Sequence, residues 1–163
     1  MAQYNEYTGT EDGTSKSASR EYIVANGVTL TVGDMVYLSG GFITNAAIAA
    51  KRLLGQVIAG DSVDLDRAYG RTVVGDGTRT ALVNVERSAR YLMLSDEAAA
   101  NLAATDIGKY FDLIGATGAQ RVDVSSGSAT TGQVLYVANA DSIRGTDATS
   151  GIFTIAENQN DGV

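Results

Sequence analysis

The chain contains no histidine, no cysteine, no tryptophan and no proline across its 163 residues. Losing His and Cys together removes the commonest general base, the thiol nucleophile and the ordinary zinc ligands. It also removes any disulfide framework, so folding does not require an oxidising compartment. Without Trp the usual aromatic platform for sugar rings is missing. Positive charge is scarce as well: 12 basic residues stand against 19 acidic ones, for a net charge of −7. No dense Lys/Arg run occurs, and an acidic chain is repelled by phosphate backbones, so nucleic-acid binding is disfavoured. Long apolar runs are absent too, with none near the ~18 residues that span a bilayer. The opening Met1-Ala2-Gln3-Tyr4-Asn5-Glu6 has neither the basic nor the apolar region of a signal peptide. A soluble protein made in a cytoplasm, with no membrane partner, is expected.

What is present favours sheet. Apolar residues make up 44% of the chain and charged ones 19%, which suits a folded protein rather than a disordered one. Glycine is frequent, and eight tyrosines outnumber three phenylalanines. Tyrosine buries its ring while its hydroxyl stays wet or paired, which suits contact surfaces as well as strands.

Residues 1–21 are polar and carry no apolar periodicity, so they read as an extended N-terminal arm. Tyr4 and Tyr7 are its candidate anchors, and Tyr22 stands where the pattern changes. These three tyrosines are the candidate partner or subunit interface residues. Removing Met1–Arg20 is expected to leave the rest folded. A first β module, 22–88, begins with Tyr22-Ile23-Val24-Ala25, Asn26-Gly27 and the alternating Val28-Thr29-Leu30-Thr31-Val32. Asn-Gly between β-prone runs predicts a type I′ hairpin. Met35–Leu38 and Gln56–Ala59 read as further strands, with Gly40-Gly41 ending the former. Ala46–Leu54 fits either a two-turn helix capped by Asn45 or a loop between sheets. Asp61–Arg67 gathers three carboxylates but lacks the ligand order and central Gly of a calcium loop. Thr72–Val74, Gly75-Asp76-Gly77 and Ala81–Val85 predict a second hairpin.

A second β module, 89–157, opens with Tyr91–Leu94. Ser95 is placed to cap a short helix over Asp96–Ala104, and two acids in its first turn suit the helix dipole. Strands follow at Lys109–Ile114, Gln120–Val124, Gln133–Ala138 and Ile152–Ala156, before a polar tail at 158–163. Four segments put Gly and a polar residue before an apolar β run: Gly33-Asp34, Gly55-Gln56, Gly108-Lys109 and Gly132-Gln133. They mark two similar modules either side of about residue 88. The expected fold is all-β, with β-sandwich or barrel-like modules, one or two short helices and the extended arm.

No phosphate-binding loop, dinucleotide fingerprint or Gly-x-Ser-x-Gly elbow occurs. The chain therefore reads as a structural or binding protein, not an enzyme, with no cofactor, no metal and no catalytic residues. The segments Leu30-Thr31-Val32-Gly33-Asp34-Met35-Val36-Tyr37-Leu38 and Leu54-Gly55-Gln56-Val57 resemble the small capsid decoration (cement) proteins of tailed bacteriophages. Asp106-Ile107-Gly108-Lys109-Tyr110-Phe111-Asp112-Leu113 and Thr131-Gly132-Gln133-Val134-Leu135 are similar in style. The resemblance implies a structural virion protein on the outer capsid surface, a homotrimer that clamps adjacent major capsid proteins. The alternative is a virion-surface or secreted β-type module that recognises a glycan or a host receptor.

Overall fold

The computed structural model describes residues 6–10, 18–47, 52–60, 72–96, 102–139 and 150–156. Within them the chain is all-β. The strands of the first half are β1 (Glu6–Thr10), β2 (Ser19–Ile23), β3 (Thr29–Thr31), β4 (Met35–Ser39), β5 (Phe42–Asn45), β6 (Gly55–Ala59), β7 (Thr72–Val74) and β8 (Thr80–Asn84). Those of the second are β9 (Ala89–Leu94), β10 (Tyr110–Ile114), β11 (Arg121–Ser128), β12 (Val134–Asn139) and β13 (Ser150–Ile155), and one 3-10 turn spans Ala104–Asp106.

Alternation drives each element. In β10, Phe111 and Leu113 point inward while Tyr110, Asp112 and Ile114 stay partly exposed. In β8, Ala81 and Val83 do the same. Burying one side of each strand requires the sheets to curl around a core.

They do so twice, in the same way. One sheet has the order β2-β8-β6-β4-β5, and a parallel bridge from Val24 to Ile43 joins its last strand back to its first. The other has the order β9-β13-β12-β10-β11 after the edge strand β1, and a parallel bridge from Ser95 to Val122 joins it likewise. Each is a small barrel, closed at one point by its bridge, and the two share one strand order. The agreement extends to register. Ile23↔Thr80 through Ser19↔Asn84 corresponds to Leu94↔Ser150 through Arg90↔Thr154. Tyr37↔Thr44 and Leu38↔Ile43 correspond to Asp112↔Asp123 and Leu113↔Val122. Even the irregularity between Val57 and Ala59 recurs between Tyr136 and Ala138. The chain is a tandem structural repeat.

The two cores are filled differently. Val36, Val57 and Val83 are buried in the first barrel, and the corresponding Phe111, Tyr136 and Phe153 are buried in the second. Phe111 meets Phe153 edge-on with ring centroids 6.1 Å apart, and Tyr136 stacks on Phe153 at 5.0 Å. Room comes from Gly151, which stands where the first barrel has Ala81. A Cβ on Gly151 would lie 2.6 Å from Tyr136 Cε2 and 2.9 Å from Phe153 Cε2. Interiors are close-packed, so larger rings are accommodated by a smaller neighbour.

The barrels share core and polar contacts. Met35, Ala46 and Leu53 of the first half belong to the hydrophobic cluster that contains Tyr91, Phe111, Tyr136 and Phe153. The loop between β10 and β11 reaches across: Gly118 N–H donates to Asp34 Oδ1 at 2.7 Å, and the Thr117 hydroxyl donates to Asp34 Oδ2. Gln133 accepts from Leu113 N–H at 2.7 Å and donates to the Ala46 carbonyl at 2.9 Å.

The two hairpins expected from sequence are not formed. β2 pairs with β8, whereas β3 pairs with β7. Residues 19–31 run as one bent strand antiparallel to residues 72–84, with the two turns facing each other. Gly27 N–H donates to the Gly75 carbonyl at 2.9 Å, and Gly75 N–H to the Val28 carbonyl at 2.8 Å. A Cβ on Gly75 would lie 2.1 Å from the Ala25 carbonyl oxygen, so only glycine allows this approach. Each turn is a corner between sheets, because closer partners were available across the ribbon than within either hairpin.

The expected helix after Ser95 falls largely outside the described residues. Its described start is strand-like: Ser95 bridges Val122, and the Asp96 carboxylate accepts from Val124 N–H at 3.0 Å. The centre of Ala46–Leu54, the acidic stretch Asp61–Arg67 and the polar tail also lie outside the described residues. Asn45 does act locally, accepting from Ala47 N–H at 2.8 Å.

Candidate interaction surface

The strongest candidate surface lies on the first barrel where β2 parts from β5. Val24 N–H donates to the Arg79 carbonyl at 2.8 Å and Val85 N–H to the Ala18 carbonyl at 2.8 Å. Backbone direction alternates along a strand. The N–H and C=O groups of Ser19, Glu21 and Ile23 therefore face away from β8. Past Glu21, β5 closes in: Val24 bridges Ile43, and Ala25 N–H donates to the Ile43 carbonyl at 3.0 Å. Ser19, Arg20, Glu21 and Ile23 are all exposed. Among the described residues, Ser19 to Glu21 are therefore an open sheet edge.

Apolar side chains flank it. The parallel bridge between Val24 and Ile43 sets Ile23 beside Phe42, and these are 39% and 38% exposed. In the second barrel the corresponding residues are Leu94 and Arg121, and the Arg121 guanidinium donates to the Ser95 carbonyl at 3.2 Å. An exposed Ile–Phe pair is therefore not a requirement of the barrel. Exposed, adjacent apolar side chains mark a contact surface when the fold does not need them.

Of the tyrosines singled out from sequence, Tyr7 and Tyr22 fall in different sheets. Tyr4 lies outside the described residues. Tyr7 is in β1, in register with Tyr91 of β9. Tyr22 is in β2, in register with Ala81, and packs partly buried against the core of the first barrel. The neighbours Ile23 and Phe42 were hidden in sequence, because Tyr22-Ile23-Val24 reads as a continuous apolar run. Only the pairing with β8 shows which of them turns outward.

Charged groups near this barrel serve local structure. Asp76 accepts from Thr78 Oγ1 at 2.7 Å, Thr78 N–H at 2.8 Å and Arg79 N–H at 2.9 Å. The Thr78 hydroxyl, then the Arg79 and Thr78 amides, hold its carboxyl down at about 2. Asp106 is lowered in the same sense, first by Lys109 at 2.8 Å and then by the Ala103 amide. Buried Asp34 is committed to three donors at the joint: Thr31 N–H at 2.8 Å, Gly118 N–H and Thr117. Beside the exposed Arg20 and Glu21, this surface offers a partner backbone groups and apolar side chains, and strand addition is the recognition mode that uses both.

Comparison with protein-family models, with curated proteins and with solved structures finds no match to this chain.

Proposed function

We propose that this chain is a structural virion protein that decorates a phage capsid from outside and stabilises it by clamping adjacent major capsid proteins. The observation that carries the reading is the tandem structural repeat. Two like-built barrels, coupled through a shared core, suit a partner that is itself a repeated surface. Avidity then does the work: linking sites raises overall affinity by ~10²–10⁴ without better single contacts. The sequence adds its own support, since neither imidazole nor thiol chemistry is available.

In this reading the protein acts without cofactor or catalysis, and self-associates, as a homotrimer, on the capsid. Co-sedimentation with undecorated capsids tests it. The expected result is saturable binding at a fixed ratio to the major capsid protein, with raised resistance of the capsids to heat. Failure to bind capsids, together with binding on a glycan array, would replace it with the receptor-binding reading.

A further inference from the structure

The tandem repeat supplies an internal control for the open edge of β2. In the second barrel, β9 corresponds to β2. Ser95 and Asp96 match Val24 and Ala25, since Asp96 N–H donates to the Val122 carbonyl at 2.9 Å as Ala25 does to Ile43 at 3.0 Å. By the same correspondence the outward groups of Ser19 and Glu21 match those of Arg90 and Leu92. Those positions on β9 are occupied: β1 lies against them, with Glu6 opposite Leu92 and Gly9 opposite Arg90. The same edge, with the same backbone polarity, is covered in one barrel and, among the described strands, bare in the other.

The covering strand is itself at the end of its sheet, so β1 is paired with β9 on one side only among the described strands. Each chain therefore has a strand with a free edge on one barrel and a vacant place for such a strand on the other. We propose that the β2 edge of one copy takes the Glu6–Thr10 strand of a second copy, which stays paired with its own β9. The occupant is named by the repeat, which already seats this segment on the equivalent edge. Outward-facing Ile23 and Phe42 would lie under the incoming chain, which accounts for their exposure in the single chain. The contact is heterologous: two different surfaces of identical copies meet, and such contacts close into rings where the rotation permits. This inference deepens the homotrimer part of the reading above and rests on it. It makes no use of the capsid.

Glutamate 21 gives a selective test. Its N–H points to the open edge, so Glu21→Pro removes an edge donor and leaves the β2–β8 ladder intact. Proline is tolerated where the N–H faces solvent. Light scattering on the full-length protein should give three chain masses for the wild type and one for E21P, with the circular dichroism spectrum unchanged. A single chain mass for the wild type, or an E21P protein that assembles like it, would overturn the proposal. Should E21P fail to fold, hydrogen exchange on the unaltered chain decides. The Glu21 and Ile23 amides should be protected at high concentration and lose that protection on dilution. Concentration-independent exchange at both would overturn it. The capsid reading is judged separately, by sedimentation.

Discussion

Gln120 hydrogen-bonds both backbone groups of Met35, accepting from its N–H at 2.6 Å and donating to its carbonyl at 2.9 Å. A side chain from the second barrel thus occupies the place of a strand residue against β4. The same amide donates to Asn45 Oδ1 at 2.8 Å, so one side chain engages two strands of the first barrel.

Gln120→Ala should accordingly destabilise the protein more than a surface change. It leaves the buried Met35 N–H without its partner, at about 1–3 kcal/mol, while the Met35 carbonyl keeps the Ala46 N–H at 3.0 Å. Urea denaturation should show the loss. A Gln120→Ala protein as stable as the wild type would mean that the joint does not depend on this amide.

Gly151→Ala should cost about 1–3 kcal/mol by overpacking the aromatic cluster. Tyr136→Val should cost about 3 kcal/mol or more by opening a cavity. Combined, the two recreate the pairing of Ala81 with Val57 found in the first barrel. The double variant should be more stable than the sum of the single effects implies, by at least about 0.5 kcal/mol. Strict additivity in thermal or urea unfolding would show that the two barrels do not exchange volume in this way.

Asp112 and Asp123 are directly opposed across β10 and β11. Asp123 is held by Ser125, whose N–H donates at 2.9 Å and whose hydroxyl donates at 2.6 Å. Like charges facing each other across a ladder are destabilising. Asp112→Thr, which removes one of the two facing charges, should raise stability by about 0.2–1 kcal/mol. The gain should shrink as salt is added, because these groups are only partly buried.

The Asp76 corner has a defined pH range. Its folded value of about 2 lies below the ordinary 3.8, so the folded state favours the ionised form. The stabilisation is therefore full above the ordinary value and is lost as the pH falls through about 2. In NMR titrations the Thr78 and Arg79 amides should move together with a midpoint near 2. Thr78→Ala should raise that midpoint, since the Thr78 hydroxyl is the largest cause. A midpoint near 4 in the intact chain would contradict the hydrogen bonding described for this corner.

Truncation should separate the arm from the barrel. Deleting residues 1–10 removes β1 and should leave both barrels folded. Extending the deletion to Arg20, expected from sequence to leave the fold intact and weaken only binding, takes two residues of β2, which begins at Ser19. That longer deletion should unfold the first barrel, seen as loss of the dispersed amide signals of β4, β6 and β8.

Strand positions were largely legible in the sequence, because alternation such as Phe111/Leu113 writes burial directly into the chain. Pairing was not. Asn26-Gly27 specifies a turn, but whether that turn closes a hairpin depends on Gly75, which is remote in sequence and close in space. The repeat was visible only through its glycines. Gly33 and Gly108 do correspond, each donating at 2.8 Å to the neighbouring strand, to Val57 and Tyr136 respectively. Gly55-Gln56 and Gly132-Gln133 do not: Leu54, not Gln56, shares the bonding of Gln133, since their N–H groups donate to Val36 and Phe111. Substitution of valines by aromatic residues erased the rest. The interaction surface was the least legible part, because an unpaired backbone edge has no residue signature.

The repeat also has a direction. Between β4 and β5 the first barrel has only Gly40-Gly41, where the second has residues 115–120. The longer loop carries Thr117, Gly118 and Gln120, the residues that hold the preceding barrel. Its two-glycine counterpart has no side chains with which to hold another unit ahead of it. A third barrel placed before the first would find no such side-chain latch in that loop, so the hold between the two barrels runs one way along the chain.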